Sequence, residues 1–300
     1  MSIRSNAARL EEVDGAAQAF EVRSLPGGIG AEIVGIDLGR ALSTSDFERV
    51  HRAHLDHHLV VFRDQRITPQ QHIDFSRRFG KLMVHVLHQF HLPGHPEILV
   101  VSNIVENDKP IGLGDAGKYW HSDISYKPQP SLGSLLHAQE LPSEGGDTLF
   151  ADMHLAYDTL PGHLRQAIDG RHAVHSYLAK YGQMQKEGNW RPTLSAEQLA
   201  QVQEVVHPVV RTHSETGRKA LFVSEGFTTH IVGLPEDESR QILDELFAHS
   251  IQPEHIYRHQ WREQDLVFWD NRSLIHLAAG TPAHLRRKLY RTTIEGDAPF

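Results

Sequence analysis

Histidine and a carboxylate two positions apart are the first feature of this sequence that could do chemistry. Histidine makes up 23 of the 300 residues, and its neutral imidazole is the commonest protein ligand for metals. On a strand, residues i and i+2 point to one face, whereas on a helix they point about 200° apart. The local structure around each pair therefore decides whether it can hold an ion. The pairs are His54/Asp56, His72/Asp74, His95/Glu97, His121/Asp123 and His213/Glu215.

Of these, His121/Asp123 is the pair in an extended, aromatic segment beside a glycine-rich stretch. The pairs at 54 and 72 fall in predicted helices, where we expect solvated faces. The other two pairs are interrupted by a proline or lie in a turn. His276 follows an apolar strand and is a candidate third ligand, or else a core histidine at a strand end. Two imidazoles and one carboxylate leave open positions on an octahedral ion, as in non-haem Fe(II) oxygenases.

Two arginines follow His276 by eleven and fifteen residues, in a segment of strand character. Arg287 and Arg291 are four positions apart and therefore share a face of that strand. Arginine binds carboxylates through two parallel hydrogen bonds and stays charged. The pair suits a dicarboxylate anchored beside the metal, and a basic surface strand is the alternative.

The elements that must position these residues are mostly short strands. Because strands do not alternate regularly with helices, the pattern favours a mainly β fold with flanking helices and a jelly-roll core. We expect a flexible arm over 1–18 and one domain over 19–300. Long loops near 104–118 and 178–194 are either lids or surface insertions. Strands are predicted over 31–37, 58–63, 97–102, 132–138, 206–212, 219–224, 255–260, 265–269 and 288–294, and helices over 45–57, 68–80, from 195, and over 235–247.

Composition excludes several classes of protein. The absence of cysteine excludes disulfides, iron–sulfur clusters and cysteine zinc sites. A formal charge of −8 argues against nucleic acid as a partner. No apolar run approaches the roughly 20 residues of a membrane span, and no apolar secretory segment opens the chain. We expect a cytoplasmic protein with no nucleic-acid or membrane partner.

The ordered set of motifs resembles the Fe(II)/2-oxoglutarate-dependent dioxygenases of the taurine dioxygenase and 2,4-dichlorophenoxyacetate dioxygenase type. The resemblance runs from about residue 20 to residue 296 and implies a double-stranded β-helix, or jelly-roll, core with flanking helices. The segments that carry it are Gly30–Asp37, Phe75–Gly80, Trp120–Asp123, Gly145–Thr148 and Trp269–Arg272, the last of which leads to His276.

The resemblance also implies site residues. It makes His121, Asp123 and His276 the iron ligands. Thr148 and Arg287 match the residues that bind 2-oxoglutarate. Arg287 matches the arginine that pairs with the distal carboxylate of 2-oxoglutarate. The implied cofactors are Fe(II), 2-oxoglutarate as cosubstrate, and O₂.

The substrate implied is a small organic anion. Arg291 matches an arginine near the anionic end of the substrate, and His85 or His88 falls where a substrate-binding histidine is found. We expect oxidation of a taurine-like alkanesulfonate, which releases sulfite and an aldehyde, or of an alkyl sulfate. The alternative is an aryloxyalkanoate or another carboxylate. Members of the family are commonly dimers or tetramers, so we expect a homodimer or homotetramer.

Two other classes compete with the dioxygenase. A zinc hydrolase can also use two histidines and a carboxylate, but it would leave Thr148 and the two arginines unexplained. A non-catalytic jelly-roll binding protein would be favoured by the loss of a ligand, yet all three candidate ligands are present.

Overall fold

A computed structural model describes residues 17–114, 117–186, 195–200 and 202–300. The arm predicted over 1–18 thus lies almost wholly outside the described residues. Gln18, the last residue of the predicted arm, is buried. Its backbone N–H donates to Asp46 and its side-chain amide to the Asp37 carbonyl. None of the helices in these residues is long and apolar enough to span a bilayer.

Strands dominate the described residues. The strands are β1 (Glu21–Ser24), β2 (Ala31–Val34), β3 (Leu59–Phe62), β4 (His91–Leu92), β5 (His95–Ser102), β6 (Val105–Glu106), β7 (Lys109–Pro110), β8 (Ser131–Glu140), β9 (Thr148–Asp152), β10 (His172–His175), β11 (Val205–Pro208), β12 (Val210–Thr212), β13 (Lys219–Leu221), β14 (Thr228–Ile231), β15 (Ile256–His259), β16 (Leu266–Asp270), β17 (Leu274–Ala278) and β18 (Lys288–Glu295). The helices are α1 (Thr44–His57), α2 (Pro69–Arg77), α3 (Met153–Asp158), α4 (Gly162–Ile168), α5 (Tyr177–Lys186), α6 (Ala196–Ala200) and α7 (Glu236–Ser250).

Two sheets face each other across the main core. The larger has the strand order β1-β2-β3-β16-β8-β18-β5-β4, and the smaller has the order β15-β9-β17. Val61, Val267 and Leu289 from the larger sheet pack with Phe150 and Leu274 from the smaller in one apolar cluster. This arrangement confirms the predicted jelly-roll core.

Helices cover the outer faces of both sheets, as predicted. Val50 of α1 and Ile73 of α2 belong to the cluster that lies behind the larger sheet. Leu243 and Leu246 of α7 belong to the cluster behind the smaller sheet. The start of α2 follows the sequence signal, because a capping box joins Thr68 to the residue three positions on, with proline at the first helical position.

The expectation of solvated faces at His54 and His72 is wrong. Both histidines are fully buried, because α1 and α2 turn these positions toward the larger sheet. His54 stacks on Phe268 with ring centroids 3.7 Å apart. The carboxylates two positions on, Asp56 and Asp74, remain exposed. The members of each pair therefore diverge, as the helical periodicity predicts.

The two long loops are more regular than predicted. The segment predicted as a loop over 178–194 begins inside a helix, α5, which extends to Lys186. Residues 187–194 lie outside the described part. The segment 104–118 contains the short hairpin β6–β7, and residues 115–116 are likewise not described. Whether either segment acts as a lid stays a prediction.

Candidate metal centre and its two cavities

Three buried side chains that could hold a metal converge at one end of the core. His276 lies on β17, and His121 pairs with it through two backbone hydrogen bonds of 3.1 and 2.8 Å. Asp123 follows two residues later, so its side chain joins the same face. One ligand atom from each of the three lies within 4.8 Å of the others. The sequence-predicted triad is therefore brought together.

The protonation of the triad suits a divalent cation. Nδ1 of His121 lies 2.9 Å from the Tyr119 carbonyl oxygen; that oxygen can only accept, so Nδ1 carries the proton and Nε2 is left as a donor atom for a metal. Burial lowers the pKa of His276 well below its usual value. Burial alone would raise the pKa of Asp123, but Arg291 and the two imidazoles hold it well below its usual range. Two imidazoles and one carboxylate are a donor set that fits Fe(II).

A glycine makes room for the first of these ligands. Gly117 has φ +76°, a conformation that favours glycine, and a Cβ there would lie 2.5 Å from Cε1 of His121. Any larger residue would therefore push the imidazole out of place. The glycine-rich stretch before His121 thus has a packing reason.

A cavity lies next to the triad, and Arg291 on β18 lines it together with His121 and Asp123. Nη1 of Arg291 donates to Oδ1 of Asp123 at 3.1 Å, and its buried Nε has no partner in the described part of the chain. The predicted substrate arginine thus touches a candidate metal ligand and still has donors for a second anion.

Of the two candidate substrate histidines, the structure brings one to the cavity. His85 lines it together with Arg291. Burial, with the nearby Arg291 charge, lowers the pKa of His85 to about 3, so the ring is neutral. Its Nδ1 accepts from the Leu87 N–H at 3.1 Å, which leaves Nε2–H as a donor. His88 is exposed on a short 3₁₀ helix, His88–Phe90, and is not among the lining residues.

Five tyrosine and phenylalanine side chains are among the residues that line this cavity, and α5 contributes three of the lining residues. Tyr177, Lys180 and Tyr181 stand at positions i, i+3 and i+4 and hence on one helical face. The Lys180 ammonium lies 4.5 Å from the centre of the Tyr119 ring. The tyrosine and phenylalanine residues that line the cavity are Tyr119, Tyr126, Tyr177, Tyr181 and Phe227.

A second cavity of about 310 Å³ lies beside the first and contains Arg287. Leu113 lines both cavities. The Arg287 side chain is buried, its Nε has no partner in the described residues, and burial lowers its pKa to about 10 although Asp147 opposes the shift. Because a buried guanidinium without a carboxylate partner is unfavourable, this cavity is suited to an anion.

Thr148 is linked to Arg287 by a residue that sequence reasoning missed. Thr148 is buried on β9 and pairs with Ala278 of β17, which lies two residues after His276. Trp261 donates from Nε1 to Oγ1 of Thr148 at 3.0 Å, and its ring lies 5.9 Å from the Arg287 guanidinium carbon. Trp261 thus contacts both residues predicted to bind 2-oxoglutarate. No motif in the sequence signals this role.

Behind the triad, a buried ionic cluster fixes the turn between β16 and β17. Asp270 has no exposed surface and lies 2.7 Å from Arg272, 3.0 Å from His213 and 3.4 Å from His54. Burial would raise the pKa of Asp270, yet Arg272 and the histidines hold it well below its usual value. This cluster gives a role to His54 and His213, two of the histidines from the rejected metal pairs.

Comparison with known proteins agrees with this geometry. The sequence model of the taurine catabolism dioxygenase TauD, TfdA family matches residues 21–293. An alpha-ketoglutarate-dependent 2,4-dichlorophenoxyacetate dioxygenase of Cupriavidus pinatubonensis is 34% identical over 283 residues, with 89% of this chain and 95% of the relative covered. A pentalenolactone F synthase of Streptomyces arenae is 35% identical over 290 residues, with 93% and 97% covered.

Solved structures give the same result. The crystal structure of a taurine dioxygenase from Burkholderia xenovorans matches with a TM-score of 0.77 and 34% identity, covering 93% of this chain and 90% of that one. The match is thus at the level of both sequence and fold, and it favours the dioxygenase over the zinc hydrolase and the binding protein. The chain belongs to the TauD/TfdA family of Fe(II)- and 2-oxoglutarate-dependent dioxygenases.

Proposed function

We propose that this dioxygenase hydroxylates an aryloxyalkanoate, a small carboxylate with an aromatic body, at the carbon beside its ether oxygen. The observation that carries the proposal is the composition of the cavity next to the triad. Aromatic residues line it, Arg291 and Lys180 supply positive charge, and Asp123 is the one carboxylate among its described lining residues. The alkanesulfonate or alkyl sulfate favoured by the sequence is the second candidate, because Arg291 and His85 also suit a sulfonate.

The charge of the cavity argues against taurine itself. Taurine carries an ammonium group as well as a sulfonate, and a buried ammonium needs an anionic or hydrogen-bond-accepting partner. Asp123 already faces Arg291 and the two imidazoles. Lys180 would repel a second cation placed near it. A substrate with a negative head and no positive charge fits this lining better.

The chain's own residues divide into a metal set and a cosubstrate set. His121, Asp123 and His276 would hold the iron, and Thr148 and Arg287 would hold the distal carboxylate of 2-oxoglutarate. When bound, iron and cosubstrate supply an oxidant, since O₂ is consumed as 2-oxoglutarate loses CO₂ and becomes succinate. Burial favours the neutral form of His276, and the surrounding cations favour the ionised form of Asp123, which are the forms that bind a metal.

The substrate would lie with its carboxylate toward Arg291 and its ring among the aromatic walls. The neutral His85 would add a hydrogen bond from Nε2 to the carboxylate, which strengthens binding without a second full charge. Tyr126 and Phe227 already pack on each other, with ring centroids 5.0 Å apart, and would together form one wall against the substrate ring. This packing keeps water away from the carbon that reacts.

Hydroxylation beside the ether oxygen makes the product unstable. The new hydroxyl and the aryloxy group share one carbon, so the product is a hemiacetal. The hydroxyl proton moves to the aryloxy oxygen as the bond between that oxygen and the hydroxylated carbon breaks, while the ring keeps its own bond to oxygen. The products are a phenol and a 2-oxo acid, and the oxygen of the new hydroxyl becomes the 2-oxo oxygen.

The proposal is tested by succinate formation and O₂ uptake with matched substrates. We expect phenoxyacetate to give a kcat/KM at least about tenfold higher than taurine, and butanesulfonate to fall between them, because unfavourable burial of one charged group costs more than about 1.4 kcal/mol. Phenol and glyoxylate should form in amounts equal to succinate. A preference for butanesulfonate with equal release of sulfite would overturn the aryloxyalkanoate assignment and favour the second candidate.

A smaller effect is expected at Trp261. The variant Trp261→Phe loses the hydrogen bond to Thr148, and we expect the KM for 2-oxoglutarate to rise by about fivefold, since a typical hydrogen bond contributes about 1 kcal/mol. The kcat at saturating cosubstrate should stay near that of the wild type. The control is Tyr257→Phe, which removes a nearby hydroxyl bonded to His259 rather than to Thr148. An unchanged KM in Trp261→Phe would show that this tryptophan does not orient Thr148.

A further inference from the structure

The backbone next to the candidate carboxylate ligand is strained. Ile124, directly after Asp123, has φ +60°, a conformation that is a rare outlier for a β-branched residue. Such residues cost about 1–3 kcal/mol and persist only where surrounding contacts hold them. The contacts that hold this turn therefore bear on how precisely the Asp123 carboxylate is placed.

Asn271 provides two of those contacts. Its side-chain Oδ1 accepts from the Asp123 N–H at 3.2 Å, and its carbonyl oxygen accepts from the Ser122 hydroxyl at 2.8 Å. Oδ1 also accepts from Nε1 of Trp269 at 3.0 Å. Both of these N–H groups can only donate, so the orientation of the Asn271 amide is fixed with its oxygen toward them.

The amide nitrogen of Asn271 consequently points at two serines of β8. It donates to Ser131 at 3.0 Å and to Ser134 at 3.4 Å. A hydroxyl that accepts one hydrogen bond keeps its single O–H for another partner. The Ser134 hydroxyl donates to Oδ2 of Asp123 at 2.7 Å, and this is the remaining oxygen of the carboxylate.

The two oxygens of Asp123 thus have different surroundings. Oδ2 accepts from Ser134, while Oδ1 accepts from Arg291 at 3.1 Å and faces Nε2 of His121 at 3.6 Å and Nε2 of His276 at 4.0 Å. Ser134 and Asn271 are buried and have no polar role apart from this network among the described contacts. The same chain of bonds that holds the strained turn also selects which oxygen is presented to the histidines.

We propose that Ser134, oriented by Asn271, is a positioning residue that reserves Oδ1 of Asp123 as the single metal-binding oxygen. This inference rests on the proposed metal role of the triad and assigns to two further residues the task of fixing the carboxylate. Without the Ser134 hydroxyl, Oδ2 is free to rotate toward the metal, so the coordination geometry changes as well as the affinity. Outer-sphere partners of this kind typically contribute 10–100-fold to metal affinity.

Ser134→Ala tests the proposal, with Ser131→Ala as the matched control. Both serines are buried, lie on β8 and accept from Asn271, but Ser131 donates to the Gly133 carbonyl rather than to Asp123. The apo proteins are titrated with Co(II), which reports affinity by calorimetry and coordination by its visible absorption. We expect Ser134→Ala to bind Co(II) at least about tenfold more weakly with a changed spectrum, and Ser131→Ala to match the wild type in both.

Thermal unfolding of the metal-free proteins and a conservative variant separate positioning from folding. Ser134→Thr keeps the hydroxyl and should retain the wild-type Co(II) spectrum even if its added methyl lowers the melting temperature. A purely structural role would instead lower the melting temperature of both alanine variants and leave affinity and spectrum unchanged, which would overturn the proposal. If the wild type bound no Co(II), the metal role of the triad itself would fall; if it bound Co(II) without turning over phenoxyacetate, only the substrate assignment would fall.

Discussion

Replacing Arg287 by alanine should raise the dissociation constant for 2-oxoglutarate by about 100-fold. The guanidinium is buried, and its Nε has no partner in the described chain. A hydrogen bond to a charged group contributes about 1.5–3 kcal/mol, and the upper end suits a two-pronged contact with a carboxylate. A loss of about 3 kcal/mol corresponds to roughly 100-fold in binding. Calorimetry with the Mn(II) enzyme measures it without turnover.

The neighbouring arginine supplies the control. Arg286 is exposed and pairs with Glu140 at 2.6 Å, and exposed ion pairs contribute little. Arg286→Ala should therefore bind 2-oxoglutarate like the wild type.

Stability separates a ligand-binding arginine from a structural one. Because Arg287 is a buried charge with no carboxylate partner in the described residues, Arg287→Ala should leave the melting temperature of the unliganded protein unchanged or raise it. Added 2-oxoglutarate should stabilise the wild type and not the variant. A melting temperature that falls, with cosubstrate affinity intact, would assign Arg287 to the fold and leave the second cavity without its proposed ligand.

The candidate pair His121 and Asp123 could be predicted from the sequence because its signal is local: the two residues are two positions apart in an extended segment. His276 is distant in the chain, and it is the family resemblance that makes it the third candidate ligand rather than a core histidine. The strand that carries Thr148 could not be predicted. This strand, β9, has five residues and forms by pairing with β15 and β17, which lie more than 100 positions away in the chain. Nothing in the sequence pattern of so short a segment distinguishes it from a loop.

The supporting residues escape prediction for a related reason. Ser134 reaches Asp123, and Trp261 reaches Thr148, through sheet register and side-chain packing, which no spacing in the sequence encodes. The predicted exposure of two histidines was wrong for a different reason. His54 and His72 look like surface residues by type, but α1 and α2 turn them toward the sheet, where a neutral imidazole packs as a flat, partly apolar ring. Residue type alone therefore misplaced them.

The buried histidines lead to the expectation that the protein loses several kcal/mol of stability between pH 7 and pH 5. Burial lowers the pKa of His72 and of His175 to about 3, against about 6.5 in an unfolded chain. Between these two pKa values the unfolded chain binds more protons than the folded protein. The stability that comes from keeping these histidines neutral is therefore complete above pH 6.5 and is lost as the pH falls toward 3. At pH 5, each histidine contributes a loss of about 2 kcal/mol.

The surroundings of both rings give the physical reason. The titratable group that faces His72 is His137, with ring centroids 5.9 Å apart, and the one that faces His175 is His207, at 5.2 Å. A proton on either ring would thus meet a second imidazole rather than a carboxylate. A combined loss of about 4 kcal/mol is a large part of the 5–15 kcal/mol by which a domain is usually stable.

Urea unfolding of the metal-free protein at several pH values between 5 and 7 measures the effect. In His175→Gln, which cannot titrate, the dependence of the unfolding free energy on pH should weaken by about 1 kcal/mol per pH unit on average between pH 7 and pH 5, and by about 1.4 kcal/mol per unit, the equivalent of one proton, near pH 5. His172→Gln is the matched control, because His172 is exposed on the same strand, β10. If both variants keep the wild-type pH dependence, the protons taken up on unfolding bind elsewhere, and burial of His175 does not limit acid stability.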